Sequence, residues 1–235
     1  MINQAPILIT GCPRSGTGMV AGILSIAKVF GGYVDRMYEN ITIREVYIKN
    51  YLRSVGMDAD ACCPIVAKYP IAFPEYWEEK ITECLTKQGV HNQEWYYKDS
   101  RNAVLWRLWS LAFPQSRWII VRRSDEDIIE SCQKTGYMRT FDSEAVRRHI
   151  GVPNAEEGWK WVIGEYKNCF TKIQSTFPNN YREIWPEKMA AGDYSEITEL
   201  LQWLGLAVDI DKVKDYIKPK LYKTSKKYEN DGRKS

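Results

Sequence analysis

Residues 7–24 read ILITGCPRSGTGMVAGIL, which predicts a short buried strand, a glycine-containing turn and then a helix. The first turn of that helix carries Ser15, Gly16 and Thr17. Backbone N–H groups at the start of a helix have no partner within the helix, and the helix dipole adds partial positive charge there. Arg14 adds a full positive charge beside them. The segment therefore predicts a binding site for an anion.

The turn matches the Walker A loop of nucleotide-binding proteins only in part. Gly11 and Gly16 have the G-x-x-x-x-G spacing, but Thr17 and Gly18 stand where that loop has Lys and then Ser or Thr. The lysine that reaches the terminal phosphates and the hydroxyl that holds Mg²⁺ are therefore missing from their places. This difference argues against an ordinary ATPase or kinase. Taken alone, the loop fits a simple connection between strand and helix about as well as it fits an anion-binding site. A second site is needed to decide between the two.

Length and composition predict one α/β domain. The chain has 235 residues, of which 44% are hydrophobic and 27% charged, and this suffices for a full core. The formal net charge of +3 is too small to indicate nucleic-acid binding by itself. No apolar run approaches the roughly 18 residues of a membrane span, and the first strand leaves no room for a signal peptide. We therefore expect a cytoplasmic protein without a membrane partner, with its domain over residues 1–219 and a basic, flexible tail over residues 220–235.

The cysteines and histidines predict neither disulfides nor a metal site. Six cysteines are spread along the chain without a C-x-x-C pair, which favours free thiols in a reducing compartment. The chain has two histidines, His91 and His149, and neither has a second ligand nearby in sequence. Cys12 lies within the anion loop, where a small packed side chain is the simpler explanation.

Hydrophobic periodicity predicts strands that alternate with helices. Besides the first strand, we expect strands at residues 94–98, 117–121 and 181–185. We expect helices near residues 41–55, 74–87, 104–111, 124–134 and 155–176, and a last one that ends at Gly205. This alternation predicts a three-layer α/β/α architecture around a mainly parallel sheet.

Three strand ends carry groups suited to anions. Ligands bind at the carboxyl ends of the strands in such sheets. The first strand leads into the anion loop, the aromatic strand ends at Lys98 before Arg101, and the third is followed by Arg122 and Arg123. Three basic clusters at neighbouring strand ends predict a ligand with more than one anionic group.

In four segments the chain resembles the sulfotransferases that use 3′-phosphoadenosine 5′-phosphosulfate (PAPS). Residues 11–17, GCPRSGT, resemble their 5′-phosphosulfate loop, G-x-P-R-S-G-T. Residues 118–131, WIIVRRSDEDIIES, resemble their 3′-phosphate motif, an apolar strand followed by R-D-P-x-D-x-x-x-S, with Ser-Asp in place of Asp-Pro. Residues 97–101, YKDSR, resemble the K-x-P-R segment of the bacterial and tyrosyl-protein branches without its proline. Residues 185–206 resemble the closing E-x-L…F-L-G-L segment, so the likeness runs from about residue 7 to about residue 206.

The resemblance implies a P-loop-like sulfotransferase fold, PAPS as donor, 3′-phosphoadenosine 5′-phosphate as product and no metal. It implies that Arg123 and Ser131 hold the 3′-phosphate and that Lys98 stabilises the sulfuryl group or its bridging oxygen. Arg14 is expected to act in catalysis as well as in donor binding. The residues expected to hold the 5′-phosphosulfate are Cys12, Pro13, Arg14, Ser15, Gly16, Thr17 and Gly18.

An acceptor hydroxyl also needs a general base. Glu39 follows the first strand–helix unit, where the tyrosyl-protein branch and many carbohydrate-acting members place a glutamate. His149 is the rival, because small-molecule members use a histidine, although theirs precedes the 3′-phosphate motif. Asp35 and Glu45 are weaker candidates.

Three functions follow from these residues. The first is sulfuryl transfer to a hydroxyl or amine of a carbohydrate, peptide or small molecule. The alternatives are a P-loop-type nucleotide or sugar kinase and a non-catalytic nucleotide-binding module of the same fold. The acceptor has no signature in the sequence.

Overall fold

Four parallel strands form the centre of the molecule. The computed structural model describes residues 5–57, 59, 74–135 and 139–217. Within these residues the sheet has the order β2-β1-β3-β4. The strands are β1 (Ile7–Gly11), β2 (Tyr96–Lys98), β3 (Arg117–Val121) and β4 (Tyr181–Ile184). β2 and β3 lie on opposite sides of β1, so the order in which strands are added to the sheet reverses at β1. In folds of this type, ligands bind at such a point.

The pleat of the sheet sends alternate side chains into two separate cores. Leu8 and Ile120 belong to one core, and Ile9 and Val121 belong to the other. All five residues of β1 are buried, as expected for a strand covered on both faces. The three-layer α/β/α prediction is confirmed, and in this sheet every pairing is parallel.

Helices cover both faces. One core contains side chains of α3 (Trp77–Lys87), α5 (Trp106–Ala112), α6 (Asp125–Lys134) and α8 (Ala155–Thr176). The other contains side chains of α1 (Thr17–Ile26), α10 (Ser195–Leu204) and α11 (Ile210–Tyr216). The other elements of the described residues are a π-helix (Ile43–Ile48), α2 (Lys49–Ser54), α4 (Arg101–Val104), a 3₁₀ turn (Thr140–Asp142), α7 (Glu144–Ile150) and α9 (Pro186–Ala190).

The predicted elements agree with the structure apart from local differences. The strand at 117–121 and the helix at 155–176 have the predicted bounds. The helix predicted from residue 74 begins at Trp77, because Tyr76 has a left-handed backbone with a φ of 63°. The helix predicted near residues 104–111 is interrupted at Leu105. The segment predicted helical at 41–55 contains a π-helix, which sequence periodicity does not distinguish from an α-helix.

Several predictions concern residues outside the described part of the chain, namely the tail over residues 220–235 and two of the cysteines, Cys62 and Cys63. Among the residues that the structure does describe, no helix is both long and apolar enough to cross a membrane.

Candidate active site

The anion loop joins β1 to α1 through two left-handed residues. Arg14 has a φ of 68° and Gly16 a φ of 97°. Such backbone turns make successive N–H groups point toward a common centre. Gly11 is required for a different reason, since a Cβ there would lie 2.5 Å from the carbonyl oxygen of Val121. The loop is therefore pressed against the end of β3, and its N–H groups form a cradle at the start of a ten-residue helix.

The residues predicted for the two phosphate groups are in direct contact. Arg14 Nε donates a hydrogen bond to Ser131 Oγ at 3.0 Å. Arg123 donates from its guanidinium to the carbonyl oxygen of Arg14 at 2.8 Å. The structure thus brings together the loop after β1 and the motif after β3, although the residues are more than a hundred positions apart in sequence.

Ser124 caps the helix of the second motif. Its Oγ accepts a hydrogen bond from the N–H of Asp127 at 3.2 Å, and α6 begins at Asp125. The resembling family has Asp-Pro at these two positions, and a serine cap serves the same purpose, since Ser and Asp are comparable N-caps. The departure from the motif therefore leaves the helix start intact beside Arg123.

Lys98 and Glu39 form an ion pair at the end of β2. Lys98 Nζ donates to Glu39 Oε1 at 2.8 Å, with 5% and 17% of the two side chains exposed. The other carboxylate oxygen of Glu39 accepts from Arg44 at 2.8 Å and lies 3.9 Å from Arg101. The candidate base is therefore fixed on both oxygens by cations from three elements.

The turn that carries Glu39 lies beside the anion loop. A Cβ at Gly18, in the first turn of α1, would lie 3.7 Å from Met37 Cε. Asp35 closes this turn, because its Oδ1 accepts from the backbone N–H groups of Met37 and Glu39 at 2.8 and 3.1 Å. Glu39, Lys98 and the anion loop therefore belong to one site.

Asp35 and Glu45 are engaged in ion pairs with Arg44, at 2.5 and 2.8 Å. Burial raises the pKa of Asp35, but hydrogen bonds from Arg44 and from backbone N–H groups outweigh it, so this pKa lies below its ordinary value. Burial also raises the pKa of Glu45, but hydrogen bonds from Arg44 and Lys49 outweigh it, so the pKa of Glu45 lies below its ordinary value. Both carboxylates are therefore poor proton acceptors.

His149 is exposed near the end of α7, which packs against α8. In the described part of the chain, no hydrogen bond or ion pair joins its side chain to Lys98 or to the anion loop. Of the two rival bases, the structure places Glu39 at the site.

A buried ion pair follows Lys98 in the chain. Arg101 Nε donates to Asp99 Oδ1 at 2.9 Å, and the Tyr97 hydroxyl donates to Asp99 Oδ2 at 2.9 Å. Burial raises the pKa of Asp99, but the charge and hydrogen bonds of Arg101 lower it by more. The pKa of Asp99 therefore lies below its ordinary value. Arg101 is one of the predicted basic groups, but its pairing with Asp99 has no signal in the sequence.

Cys12 packs beneath the loop as expected. Its side chain is buried, and burial raises the pKa of the thiol to about 12. The thiol is therefore neutral and is not a nucleophile at physiological pH. Cys12, Cys84, Cys132 and Cys169 are free thiols. Over the described ranges no group of His, Cys, Asp and Glu side chains is arranged to hold a metal ion.

Two contacts of C-terminal helices lie near the site. The ring of Tyr216, on α11, packs edge-on against that of Tyr38, next to Glu39, with ring centroids 6.4 Å apart. Glu187, on α9, is buried, with 4% of its surface exposed, near Asp127 and Arg123 of the second motif. Each contact joins a C-terminal helix to a loop of the site, and such pairings depend on tertiary structure.

Comparisons with known proteins agree with this architecture. The crystal structure of sulfotransferase STF9 from Mycobacterium avium has 11% identity and a TM-score of 0.58, and the match covers 91% of this chain and 66% of that one. The sulfotransferase domain from the curacin biosynthetic pathway has 14% identity and a TM-score of 0.55, covering 94% and 79%. At these identities the matches establish the fold. A comparison with curated protein sequences gives no match. The model of the Sulfotransferase family matches residues 6–210, which include the anion loop, Glu39, Lys98 and the motif after β3, and this chain therefore belongs to the sulfotransferase family.

Proposed function

We propose that this sulfotransferase takes the sulfuryl group from PAPS and transfers it in line to a hydroxyl or amine of its acceptor. The observation that carries the proposal is the contact of Arg14 with both Ser131 and Arg123. PAPS has phosphate groups on two positions of its ribose and a terminal sulfate, so its binding needs two adjacent anion cradles. The loop after β1 and the motif after β3 supply two such cradles side by side.

The anion loop would hold the 5′-phosphosulfate. Its N–H groups, the Arg14 guanidinium and the hydroxyls of Ser15 and Thr17 match the charge of that group. Arg123 and Ser131 would hold the 3′-phosphate, with a charge-assisted hydrogen bond from the arginine. The cations and N–H groups then neutralise the leaving phosphate without Mg²⁺, in accord with the absence of the Walker lysine and hydroxyl at Thr17 and Gly18.

Lys98 and Glu39 would carry out the transfer. In the reaction the bond between sulfur and the bridging phosphate oxygen breaks, and a bond from sulfur to the acceptor oxygen or nitrogen forms. Glu39 accepts the proton that the acceptor loses, and Lys98 stabilises the charge that develops on the sulfuryl or bridging oxygen. Arg44 keeps Glu39 Oε2 in place, so that Oε1 stays directed at Lys98.

The donor assignment is tested by calorimetric titration with 3′-phosphoadenosine 5′-phosphate in the presence of EDTA. We expect micromolar-range binding by the natural chain and a large loss in Arg123→Ala and Ser131→Ala. Arg148→Met, at an exposed arginine of α7, is the matched control and should bind like the natural chain. Absent binding, or unchanged binding in both site variants, would contradict the assignment. Magnesium-dependent ATP consumption would instead support a kinase.

The catalytic assignment is tested by transfer from labelled PAPS to pooled polysaccharide, peptide and small-alcohol acceptors. Glu39→Gln should lower kcat by roughly 10²–10⁴-fold, as is typical when a general base is removed. Lys98→Met should lower kcat by roughly 10²–10³-fold, as for other groups that stabilise developing charge. Nucleotide binding without transfer to any acceptor would indicate a binding module, and full turnover by Glu39→Gln would remove Glu39 as the base.

A further inference from the structure

Asp35 is hydrogen-bonded to both polar groups of the Glu39 backbone. The N–H of Asp35 donates to the carbonyl oxygen of Glu39 at 3.0 Å, and the N–H of Glu39 donates to Asp35 Oδ1 at 3.1 Å. These two bonds close a turn in which Tyr38 has a left-handed backbone with a φ of 62°. A tyrosine keeps this conformation only where its surroundings hold it. Asp35 therefore fixes the backbone from which the Glu39 side chain extends.

Asp35 also reaches the carboxylate of Glu39, through Arg44. A single nitrogen of Arg44, Nη1, donates to Asp35 Oδ2 at 2.5 Å and to Glu39 Oε2 at 2.8 Å. Arg44 lies near the start of the π-helix, where Asn40 Oδ1 accepts a hydrogen bond from the N–H of Ile43 at 3.1 Å. The two oxygens of Asp35 thus have different partners. Oδ1 holds the Glu39 backbone, and Oδ2 holds the cation that directs the Glu39 side chain.

These contacts suit Asp35 for holding another group and not for accepting a proton. Burial raises the pKa of Asp35, but hydrogen bonds from Arg44 and from the turn keep this pKa below its ordinary value, so the carboxylate stays charged. An arginine side chain has many rotamers, and a second carboxylate on the same nitrogen restricts them. With Oε2 held in this way, Glu39 keeps Oε1 at 2.8 Å from Lys98 Nζ.

We propose that Asp35 is a positioning residue for the general base, which holds Glu39 through the turn and through Arg44 so that Oε1 meets the acceptor's proton. The inference rests on the proposed function, in which Glu39 is that base. Asp35 acts through Glu39, so its substitution slows proton transfer and leaves donor binding unchanged. Misplacing a reacting group by about 1 Å can lower a rate by about 10²-fold.

The first test measures transfer from labelled PAPS to whichever of the pooled acceptors the natural chain sulfates. Asparagine has one acceptor oxygen, so Asp35→Asn cannot serve both the turn and Arg44. We expect Asp35→Asn to lower kcat by about 10–100-fold, while the KM for the acceptor and the Kd for 3′-phosphoadenosine 5′-phosphate change by less than about threefold. Unchanged kcat, or a comparable loss of nucleotide affinity, would overturn the proposal.

Glu45→Gln is the matched control for this test. Glu45 is a carboxylate on the same arginine, but it pairs with Nε instead of the nitrogen shared by Asp35 and Glu39, and its side chain is 41% exposed. Exposed ion pairs contribute little, so Glu45→Gln should change kcat by less than about threefold. Equal losses of kcat in Glu45→Gln and Asp35→Asn would contradict a specific role for Asp35.

The second test determines whether Asp35 acts through Glu39. Asp35→Asn is combined with Glu39→Gln, and the residual kcat is compared with that of Glu39→Gln alone. A residue that only positions the base should change this residual kcat by less than about twofold, because the base is already gone. A loss as large as in the natural chain would show a merely structural role. Asp35→Ser, whose short hydroxyl can serve the turn but not Arg44, repeats both tests if Asp35→Asn does not fold.

The natural chain and Glu39→Gln separate this inference from the proposed function. If the natural chain transfers sulfate to no acceptor, or if Glu39→Gln turns over at the full rate, the catalytic assignment is wrong and the role of Asp35 falls with it. If Glu39→Gln is impaired and Asp35→Asn is not, only the role of Asp35 is wrong.

Discussion

Replacing Arg101 by methionine should strongly destabilise the fold, because it leaves a buried carboxylate without its counter-charge. The side chains of Arg101 and Asp99 are 7% and 1% exposed, and their atoms approach to 2.9 Å. Breaking a buried ion pair by removing one partner costs about 3–5 kcal/mol. For a chain of this length each kcal/mol lowers the melting temperature by roughly 2–4 °C. We therefore expect Arg101→Met to melt roughly 6–20 °C below the natural chain.

The loss should also depend on pH with a definite sign. In the natural chain the pKa of Asp99 is below its ordinary value, so the stability that this group contributes is present above the unfolded-state pKa. That contribution is lost as the pH falls through the folded-state pKa. Without Arg101, burial dominates and the pKa of Asp99 rises above the ordinary value. The folded variant then binds a proton more readily than its unfolded chain, so its stability increases as the pH falls through that raised pKa.

Urea unfolding followed by circular dichroism at pH 8 and pH 5 measures both effects. The difference in unfolding free energy between Arg101→Met and the natural chain should be largest at pH 8 and smaller at pH 5. Arg148→Met removes an exposed arginine from a surface pair with Glu144, and should change stability by less than about 0.5 kcal/mol at both pH values. A loss below about 1 kcal/mol at pH 8, or a loss independent of pH, would refute the reasoning.

Two further predictions concern packing near the site. Gly22→Ala should lower the free energy of unfolding by about 1–2 kcal/mol, because the new Cβ would lie 2.0 Å from the Tyr216 hydroxyl. This figure already includes the gain in helix propensity from alanine. Gly164→Ala is the control, because a Cβ at this helical glycine would have no neighbouring atom within 4 Å, and it should raise the free energy of unfolding by about 0.5–1 kcal/mol. Equal urea midpoints for the two variants would contradict the packing argument. Because burial raises the pKa of Cys12 to about 12, iodoacetamide at pH 8 should label this thiol only in urea. Mass spectrometry checks this, and rapid labelling of the folded chain would show that the loop opens.

The parts of the fold that sequence predicts well have strong local signals. The long helix α8 begins at the predicted residue because Asn154 accepts a hydrogen bond from the N–H of Glu157 and an apolar stripe follows. β3 has its predicted bounds because a continuous apolar run, residues 118–121, follows Arg117 and ends before Arg122. The short helices α9 and α11 were not predicted, since a helix of five or seven residues shows too few turns for periodicity.

The site residues differ in the same way in how well the sequence predicts them. Arg14, Arg123 and Ser131 could be grouped from sequence because each follows a strand in a recognisable motif, and the structure places them in contact. Arg44 could not be found in this way. Its role comes from contacts with residues of other elements, and the sequence alone gives no measure of which charges become buried together.

The central place of β1 has a consequence for how the site moves. Its backbone is hydrogen-bonded to β2 on one side and to β3 on the other, and its side chains lie in both cores. Exposing the amide protons of Leu8 and Ile9 requires β1 to separate from a neighbouring strand, so these amides should be among the slowest in the sheet to exchange with solvent. The anion loop follows directly after this strand. A bound donor should therefore slow the exchange of these amides further, because it stabilises the folded state over the openings that release it.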